Sequence, residues 1–394
     1  MERAYEYWLL KTDGIGLRSY QRLCERKISA RELFSMKREE VMSLAKDKIL
    51  SEAVCQKLAD SMEERNEETV FAQYEDMRRS QISFTIYGEK DYPKRLYCIP
   101  QPPLALYYKG TLPKEESLSV AVVGARDCTE YGAYVAKELG KELAKTNITL
   151  ISGMARGIDS ISQQGAAQAG GNVYAVLGNG VDICYPRESK SLYERLCKGE
   201  GMGVLSEYVP KTEAKPTLFP PRNRIISGLS DVVVVVEARM KSGTFITVDM
   251  ALEQGKEVYA VPGRITDRLS DGCNRLIKEG AVPFLSPADL VGEILEKKDS
   301  LMLHKRVNSC KNSPIARKFE ETEKITGKSE QKEKLLTQEE KRVYEQIDCN
   351  PRSADEIMQR VGNVALDQLL CIIMSLQMKG MIGMRGNSYY RILS

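Results

Sequence analysis

The feature that most constrains the fold is a series of five short, Val-rich apolar runs separated by segments with helical periodicity. The runs are SVAVVG at 119–124, ITLIS at 148–152, NVYAVLG at 172–178, DVVVVVEA at 231–238 and EVYAVPG at 257–263. Near-continuous apolar strands that alternate with helices are typical of a parallel sheet covered on both faces. We therefore predict an α/β, Rossmann-like, doubly wound fold with a mainly parallel sheet.

The residues before these runs predict a further domain. A chain of 394 residues is long enough for two to four domains of roughly 100 to 200 residues each. Residues 1–75 have the pattern of short helices around the tripeptide Gly14-Ile15-Gly16, which predicts a helix-hairpin-helix or SAM-like domain. The amides of such a turn can hold a DNA phosphate, but an ordinary packing unit of helices has the same pattern. Residues 76–295 then form the extended Rossmann-like domain.

The residues after the Val-rich runs differ in composition. Charged residues make up about half of 296–334 and hydrophobic periodicity is lost there, which predicts a flexible charged linker. Residues 335–394 contain three amphipathic helical segments and a two-strand tail with a Gly-Asn turn, which predicts a winged-helix-like domain. On the third segment the apolar positions expected to face the core are Leu366, Leu369, Leu370, Ile373 and Leu376.

Composition and residue usage exclude several classes of protein. No run approaches the roughly 18 apolar residues of a membrane span, and the acidic start lacks the apolar core of a secretory signal, so we expect a cytoplasmic protein. The ten cysteines form no CxxC pair, which favours reduced thiols over a zinc site or disulfides. The single histidine, His304, lies in the most polar stretch, so we expect neither imidazole-based catalysis nor a metal site. The net charge of +3 does not by itself indicate nucleic acid.

Two glycine turns that carry arginines follow the first two Val-rich runs. Gly124 and Arg126 come after the first run, and Ser152, Gly153 and Arg156 come after the second. Ligands bind beyond the carboxyl ends of the strands in doubly wound sheets, and helix N-termini offer free amides to anions such as phosphate. The alternative is that the glycines only permit sharp turns. The chain lacks a G-x-G-x-x-G fingerprint and a P-loop, so we expect no dinucleotide or ATP cofactor.

A basic segment surrounds an aromatic residue further along the chain. The segment 211–224 has a net charge of +3, from Lys211, Lys215, Arg222 and Arg224 against Glu213. Cations that follow phosphates and a ring that stacks on a base suit single-stranded nucleic acid, although the Phe219 ring within this segment could instead be buried. Ser242, Gly243 and Thr244 form a third candidate anion turn after the fourth run.

These motifs resemble the DNA-processing protein A family, also called DprA or Smf, over roughly residues 85–290. The matching segments, in the family's order, are VGARDCTEYG, SGMARGID, GNGVDICYP, SEYVPKTEAKPTLFPPRNRIISGLS, VVVVEARMKSGTFIT and ALEQGKEVYAVPG. The resemblance implies a non-enzymatic DNA recombination mediator. Such a protein is usually a homodimer, binds single-stranded DNA, protects incoming strands during natural transformation and helps load a RecA-type recombinase.

The resemblance also implies which residues contact the strand. By motif position these are Gly124, Arg126, Ser152, Gly153, Arg156, Lys215 and Phe219, with Arg222, Asn223 and Arg224 shaping the groove and Ser242, Gly243 and Thr244 as a further cradle. Two positions depart from the family pattern: Ala125 stands where Ser is frequent, and Arg239 stands where Gly is commoner.

The alternative to a binding protein is a nucleotide-binding Rossmann-like enzyme, such as a nucleoside-monophosphate phosphoribohydrolase. Those enzymes need a PGGxGT-type loop and a nearby catalytic Glu. The corresponding stretch here is EARMKSGTFITVDMALEQG, in which Asp249 and Glu253 are the carboxylates on the following helix. Either carboxylate could equally be a surface charge.

Overall fold

The computed structural model describes residues 1–63, 65–297, 337–347, 352–362, 368, 369, 372, 373, 375, 376, 382–385 and 388–391. The chain divides into two compact units, Met1–Asp299 and Ser300–Ser394. In the part of the chain that is described, no helix is both long and apolar enough to cross a membrane. The predicted linker lies almost entirely outside the described residues, as does His304.

The first unit contains a nine-stranded sheet. Its strands are β1 (Ser83–Ile86), β2 (Ala105–Gly110), β3 (Ser119–Val123), β4 (Thr149–Ser152), β5 (Val173–Val176), β6 (Met202–Ser206), β7 (Val232–Val235), β8 (Glu257–Ala260) and β9 (Val282–Pro283). The order is β1-β2-β6-β5-β4-β3-β7-β8-β9. The seven strands from β6 to β9 are parallel, whereas β2 is antiparallel to both β1 and β6. The five Val-rich runs form β3, β4, β5, β7 and β8, which confirms the Rossmann-like prediction.

Alternate residues of each strand pack against helices on opposite faces of the sheet. Val120 and Val122 of β3 belong to one core, with α7 (Glu130–Lys145), α8 (Ile158–Gln168), α9 (Lys190–Lys198) and α13 (287–297). Ala121 and Val123 belong to the other, with α10 (Phe219–Gly228), α11 (Thr244–Glu253) and α12 (Asp271–Lys278). Two covered faces explain why these strands are apolar throughout and not alternating.

Six helices precede the sheet. They are α1 (Glu2–Lys11), α2 (Leu17–Glu25), α3 (Ala30–Ser35), α4 (Arg38–Lys46), α5 (Glu52–Glu63) and α6 (Glu67–Arg79), and they enclose a core of their own. The Gly14-Ile15-Gly16 tripeptide forms the turn between α1 and α2, and Gly14 has a φ of +91°. Arg3 joins α1 to the sheet because its Nη2 donates to the Phe84 carbonyl at 2.8 Å and to Glu89 Oε2 at 3.0 Å. The predicted domain boundary near residue 75 stays a prediction.

The described part of the second unit contains α14 (Gln338–Tyr344), α15 (Ala354–Val361) and a three-stranded antiparallel sheet. The strands are β10 (Arg352–Ser353), β11 (Ile382–Arg385) and β12 (Ser388–Arg391). Leu369, Ile373 and Leu376, which are helical, are buried in its core as expected. Leu366 and Leu370 lie outside the described residues. The winged-helix classification of this unit stays a prediction.

Candidate nucleic-acid interface

The turns that follow the central strands meet at one edge of the sheet. They enclose two adjoining cavities of about 800 and 520 Å³. Arg126, Tyr185 and Phe219 line both cavities, which together form one continuous groove. We call this surface the strand-end groove. Most of the residues that line it belong to the segments 123–126, 153–156, 183–188, 213–223 and 242–247.

The turn after β3 places Arg126 at the junction of the two cavities. Arg126 is exposed and makes no ion pair within the described part of the chain. Its guanidinium carbon lies 5.9 Å from the centroid of the Phe219 ring. Gly124 is required for this turn because a Cβ there would lie 2.7 Å from Cγ1 of Ile158. The turn therefore offers an uncompensated cation to the groove.

The three site residues predicted in the turn after β4 have different surroundings. Ser152 is fully buried and its hydroxyl donates to the Val122 carbonyl at 2.6 Å, so its side chain supports the turn from inside and does not face the groove. Gly153 lines the larger cavity. Arg156 is exposed at the rim of that cavity, where its Nη2 lies 2.5 Å from Oδ1 of Asp127.

The floor of the groove contains a buried arginine. Nη1 of Arg222 donates to the carbonyl oxygens of Gly153, at 2.9 Å, and of Val176. Burial lowers the pKa of Arg222 to about 10, and the nearby Asp159 carboxylate partly offsets that effect. Burial likewise raises the pKa of Asp159, which accepts the Gly153 N–H at 3.2 Å. A Cβ on Gly153 would lie 2.6 Å from Nη1 of Arg222, so this floor requires glycine.

An aromatic pair lies where the two cavities adjoin. The rings of Phe219 and Tyr185 stack with centroids 5.5 Å apart and an interplanar angle of 29°. Phe219 is half-buried and packs on Gly178, while Tyr185 is 46% exposed. Tyr185 was not predicted as a site residue. The signal that could have identified it is an aromatic residue in the GNGVDICYP loop after β5, at the same edge of the sheet as the arginine turns.

The other predicted site residues of the 211–224 segment have different surroundings. Lys215 is exposed next to the groove walls. Asn223 lines the smaller cavity and its Oδ1 accepts a hydrogen bond from Nε of Arg222 at 3.1 Å. Arg224 lies outside the groove lining, because both of its Nη atoms donate to the Glu207 carboxylate at 2.7 Å and its Nε donates to the Gln101 carbonyl at 2.8 Å. Arg224 therefore fixes α10 and does not shape the groove lining directly.

The turn before α11 lines the smaller cavity through Ser242, Gly243 and Thr244. The Ser242 hydroxyl oxygen is buried and has no hydrogen-bond partner among the described residues. The two carboxylates considered for an enzyme, Asp249 and Glu253, are exposed on α11 and neither lines the groove. The predicted anion turn is therefore at the groove, and the two carboxylates considered for the enzyme alternative are not.

The larger cavity is more basic than acidic. Its charged lining consists of Arg126, Arg156, Arg187 and Arg222 against Glu188 and Glu213. Since three of these arginines are exposed at the surface, the cavity presents positive charge to solvent. A groove with arginines on its rim and two stacked rings between its halves combines the two kinds of contact made by proteins that bind single-stranded nucleic acid.

Comparison with known proteins identifies the family. The sequence profile described as DNA recombination-mediator protein A matches residues 83–295, which include all of the strand-end groove. This chain belongs to that family. The match confirms the resemblance seen in the motifs and covers the whole sheet from β1 to β9.

Individual members of the DNA recombination-mediator protein A family are similar over the same region. The DNA processing protein DprA of Streptococcus pneumoniae is 42% identical over 211 residues, which cover 54% of this chain and 73% of that protein. The corresponding protein of Bacillus subtilis is 38% identical over 221 residues, or 56% and 74% of the two chains. The solved structure of the Streptococcus pneumoniae protein superposes with a TM-score of 0.61 at 32% identity, covering 74% of this chain and 97% of that one.

Proposed function

We propose that this protein binds single-stranded DNA in the strand-end groove and acts in the cytoplasm as a recombination mediator. In this role it protects incoming strands during natural transformation and helps to load a RecA-type recombinase onto them. The active form is a homodimer. The recombinase, the dimer and the link to transformation rest on membership of the DNA recombination-mediator family, whereas the binding site rests on the groove itself.

The observation that carries the proposal is the contact between Arg126 and the stacked pair of Phe219 and Tyr185. A flexible single strand presents phosphates and unpaired bases within a few ångströms of each other. The guanidinium of Arg126 is 5.9 Å from the Phe219 ring, so one nucleotide can place its phosphate on the arginine while its base stacks on an aromatic face. Bases in a duplex are already stacked and paired, so this arrangement favours single strands.

Further cations lie close to this contact. Arg156 and Arg187 line the larger cavity, and Lys215 is exposed beside it. Phosphate contacts of this kind are independent of base identity and make binding sensitive to salt. We therefore propose binding with little sequence preference.

A fluorescence anisotropy titration tests the DNA-binding part of the proposal. Single-stranded and duplex DNA of equal length are titrated at two salt concentrations. We expect tighter binding of the single strand and a fall of log affinity with log salt, with a slope of about −0.7 for each phosphate contact. Equal or tighter binding of the duplex would contradict the proposal.

Two further measurements test the parts that rest on the family. Sedimentation of the purified protein should give the mass of a dimer. Recombinase filaments should form faster on single strands already covered by a single-strand-binding protein when this protein is added, and no acceleration would contradict the mediator role.

A further inference from the structure

An ion pair at the rim of the strand-end groove occupies one of its arginines. Nη2 of Arg156 is 2.5 Å from Oδ1 of Asp127. Asp127 lies in the turn between β3 and α7, and Arg156 lies in the turn after β4. The two side chains are 78% and 64% exposed, respectively. Because Arg156 also lines the larger cavity, a bound strand would bring a phosphate to the guanidinium that Asp127 now holds.

A carboxylate and a phosphate are rivals for the same guanidinium. Both accept hydrogen bonds from its planar fork, so they satisfy the same donors. An exposed ion pair contributes little stability in water and is screened by salt, so a strand held by other contacts can displace it. Arg126, the residue before Asp127, has no such competing carboxylate within the described part of the chain.

We propose that Asp127 competes with the bound strand for Arg156. The Asp127 carboxylate pairs with the Arg156 guanidinium when the groove is empty, and it forms this ion pair again as the strand dissociates. The proposal rests on the proposed function, because it requires single-stranded DNA in the groove. Its consequence is kinetic as well as thermodynamic. A carboxylate within reach of Arg156 captures the arginine each time the phosphate contact opens, which shortens the lifetime of the complex. A protein that passes its strand to another protein needs such release.

The test uses the full-length protein, a fluorescently labelled oligothymidine strand, equilibrium anisotropy and stopped-flow dissociation into excess unlabelled strand. Asp127→Asn should bind roughly two- to fivefold more tightly, since this is the range for an exposed ion pair, and most of the change should appear as slower dissociation. Asp127→Glu keeps the competing carboxylate and should stay close to the wild type. Arg156→Ala should bind more weakly.

A double variant separates competition from simple repulsion of phosphate by Asp127. If Asp127 acts through Arg156, adding Asp127→Asn to Arg156→Ala should have no further effect. If Asp127 only repels the strand, the gain should be the same with and without Arg156, and the proposal is overturned. Asp60→Asn is the matched control. It removes a carboxylate from another exposed ion pair, Arg38–Asp60 at 3.0 Å in the N-terminal helices, and should leave binding unchanged.

The remaining outcomes are also decisive. Wild-type affinity of Asp127→Asn beside a weakened Arg156→Ala overturns the competitor but leaves the groove assignment intact. Unchanged binding of Arg156→Ala overturns the competitor as well, because the arginine then makes no contact to compete for. A wild-type protein that fails to bind the strand at all overturns the proposed function and with it this inference.

Discussion

At the scale of single residues, Arg126 is an exposed groove cation that has no carboxylate partner in the described part of the chain. Its charge is therefore fully available to a phosphate. Arg126→Ala should weaken single-strand binding by about 1.5 to 3 kcal/mol, the range for a hydrogen bond to a charged group, and should reduce the salt slope by about 0.7. Anisotropy titrations at several salt concentrations measure both quantities.

The control for loss of net charge is Arg79→Ala, which removes an exposed arginine at the end of α6. An unchanged salt slope in a folded Arg126→Ala protein would remove this residue from the interface.

Phe219 tests the stacking contribution separately from charge. Phe219→Ala should weaken strand binding by about 1 to 3 kcal/mol through loss of a stacking face. The ring is half-buried and packs on Gly178. The loss of folding stability should therefore stay well below the roughly 3 to 5 kcal/mol that is typical of a Phe→Ala change in a core. Binding is measured by anisotropy and stability by urea unfolding.

A second substitution at the same position keeps the apolar cover but removes the π face. Phe219→Leu should retain nearly full stability while losing most of the stacking energy. If Phe219→Leu binds like the wild type, the ring acts as packing and the aromatic part of the site is wrong.

The sequence predicted which turns form the site better than which side chains face it. Glycine and arginine after a strand indicate an anion turn because strand ends converge in this fold. Exposure depends on long-range neighbours that no local pattern encodes. Ser152 is buried by its bond to Val122, and Arg224 is held by Glu207. Tyr185 faces the groove because of the loop path after β5, which short motifs do not fix.

At the scale of elements, the N-terminus of α7 is held by a contact across the sheet edge. The Thr129 hydroxyl accepts the N–H of Gly132 at 3.1 Å and donates to Glu237 Oε1 at 2.5 Å. Glu237 Oε2 also accepts the N–H of Thr129 at 2.9 Å. Since Glu237 follows β7 and is only 3% exposed, this contact joins the turn that carries Arg126 to the neighbouring strand.

Removing this hydroxyl should destabilise the groove as well as the helix. Thr129→Ala should lower the free energy of unfolding by about 1 to 2 kcal/mol through loss of the cap and of a hydrogen bond to a buried carboxylate. Thr129→Ser retains the hydroxyl and should stay within about 0.5 kcal/mol of the wild type. Urea unfolding monitored by circular dichroism measures the stability of both variants. Equal stability of the two variants would mean that the hydroxyl makes no net contribution.

The Val-rich strands were predictable from their composition, whereas β6 was not. The Val-rich runs specify β3, β4, β5, β7 and β8 because burial on both faces demands apolar residues throughout. Strand β6 was missed because its sequence, MGVLS, contains a glycine, which lowers strand propensity. Its place in the sheet comes from parallel pairing with β5 and antiparallel pairing with β2.

At the scale of the whole molecule, the second unit should be dispensable for strand binding. The segment that would form the groove-entering helix of a winged-helix domain, ALDQLLCIIMSLQMKG, contains no cation before Lys379, whereas a helix that reads a DNA groove needs Arg, Lys or Asn aimed at bases and phosphates. Its residues Leu369, Ile373 and Leu376 are buried in the core of their own unit.

A shortened protein that ends at Asp299 should therefore keep most of its affinity for single strands. Anisotropy titration beside the full chain measures the difference, and circular dichroism confirms folding of the first unit. A loss of affinity of about a hundredfold, or roughly 2.7 kcal/mol, would show that the assignment of the DNA site to the first unit is wrong.

The strand order of the sheet has a consequence for the protein while it is being synthesised. The amide of Ser119 at the start of β3 is bonded to Oδ2 of Asp231 just before β7, 112 residues further along the chain. At roughly 5 to 20 residues per second, a ribosome needs roughly 6 to 22 s to make that stretch. Throughout this interval β3 has no neighbour on the side that later pairs with β7, and on its other side it can pair with β4 only once residues 149–152 have been made. The nascent chain therefore carries an aggregation-prone edge at what becomes the centre of the finished sheet.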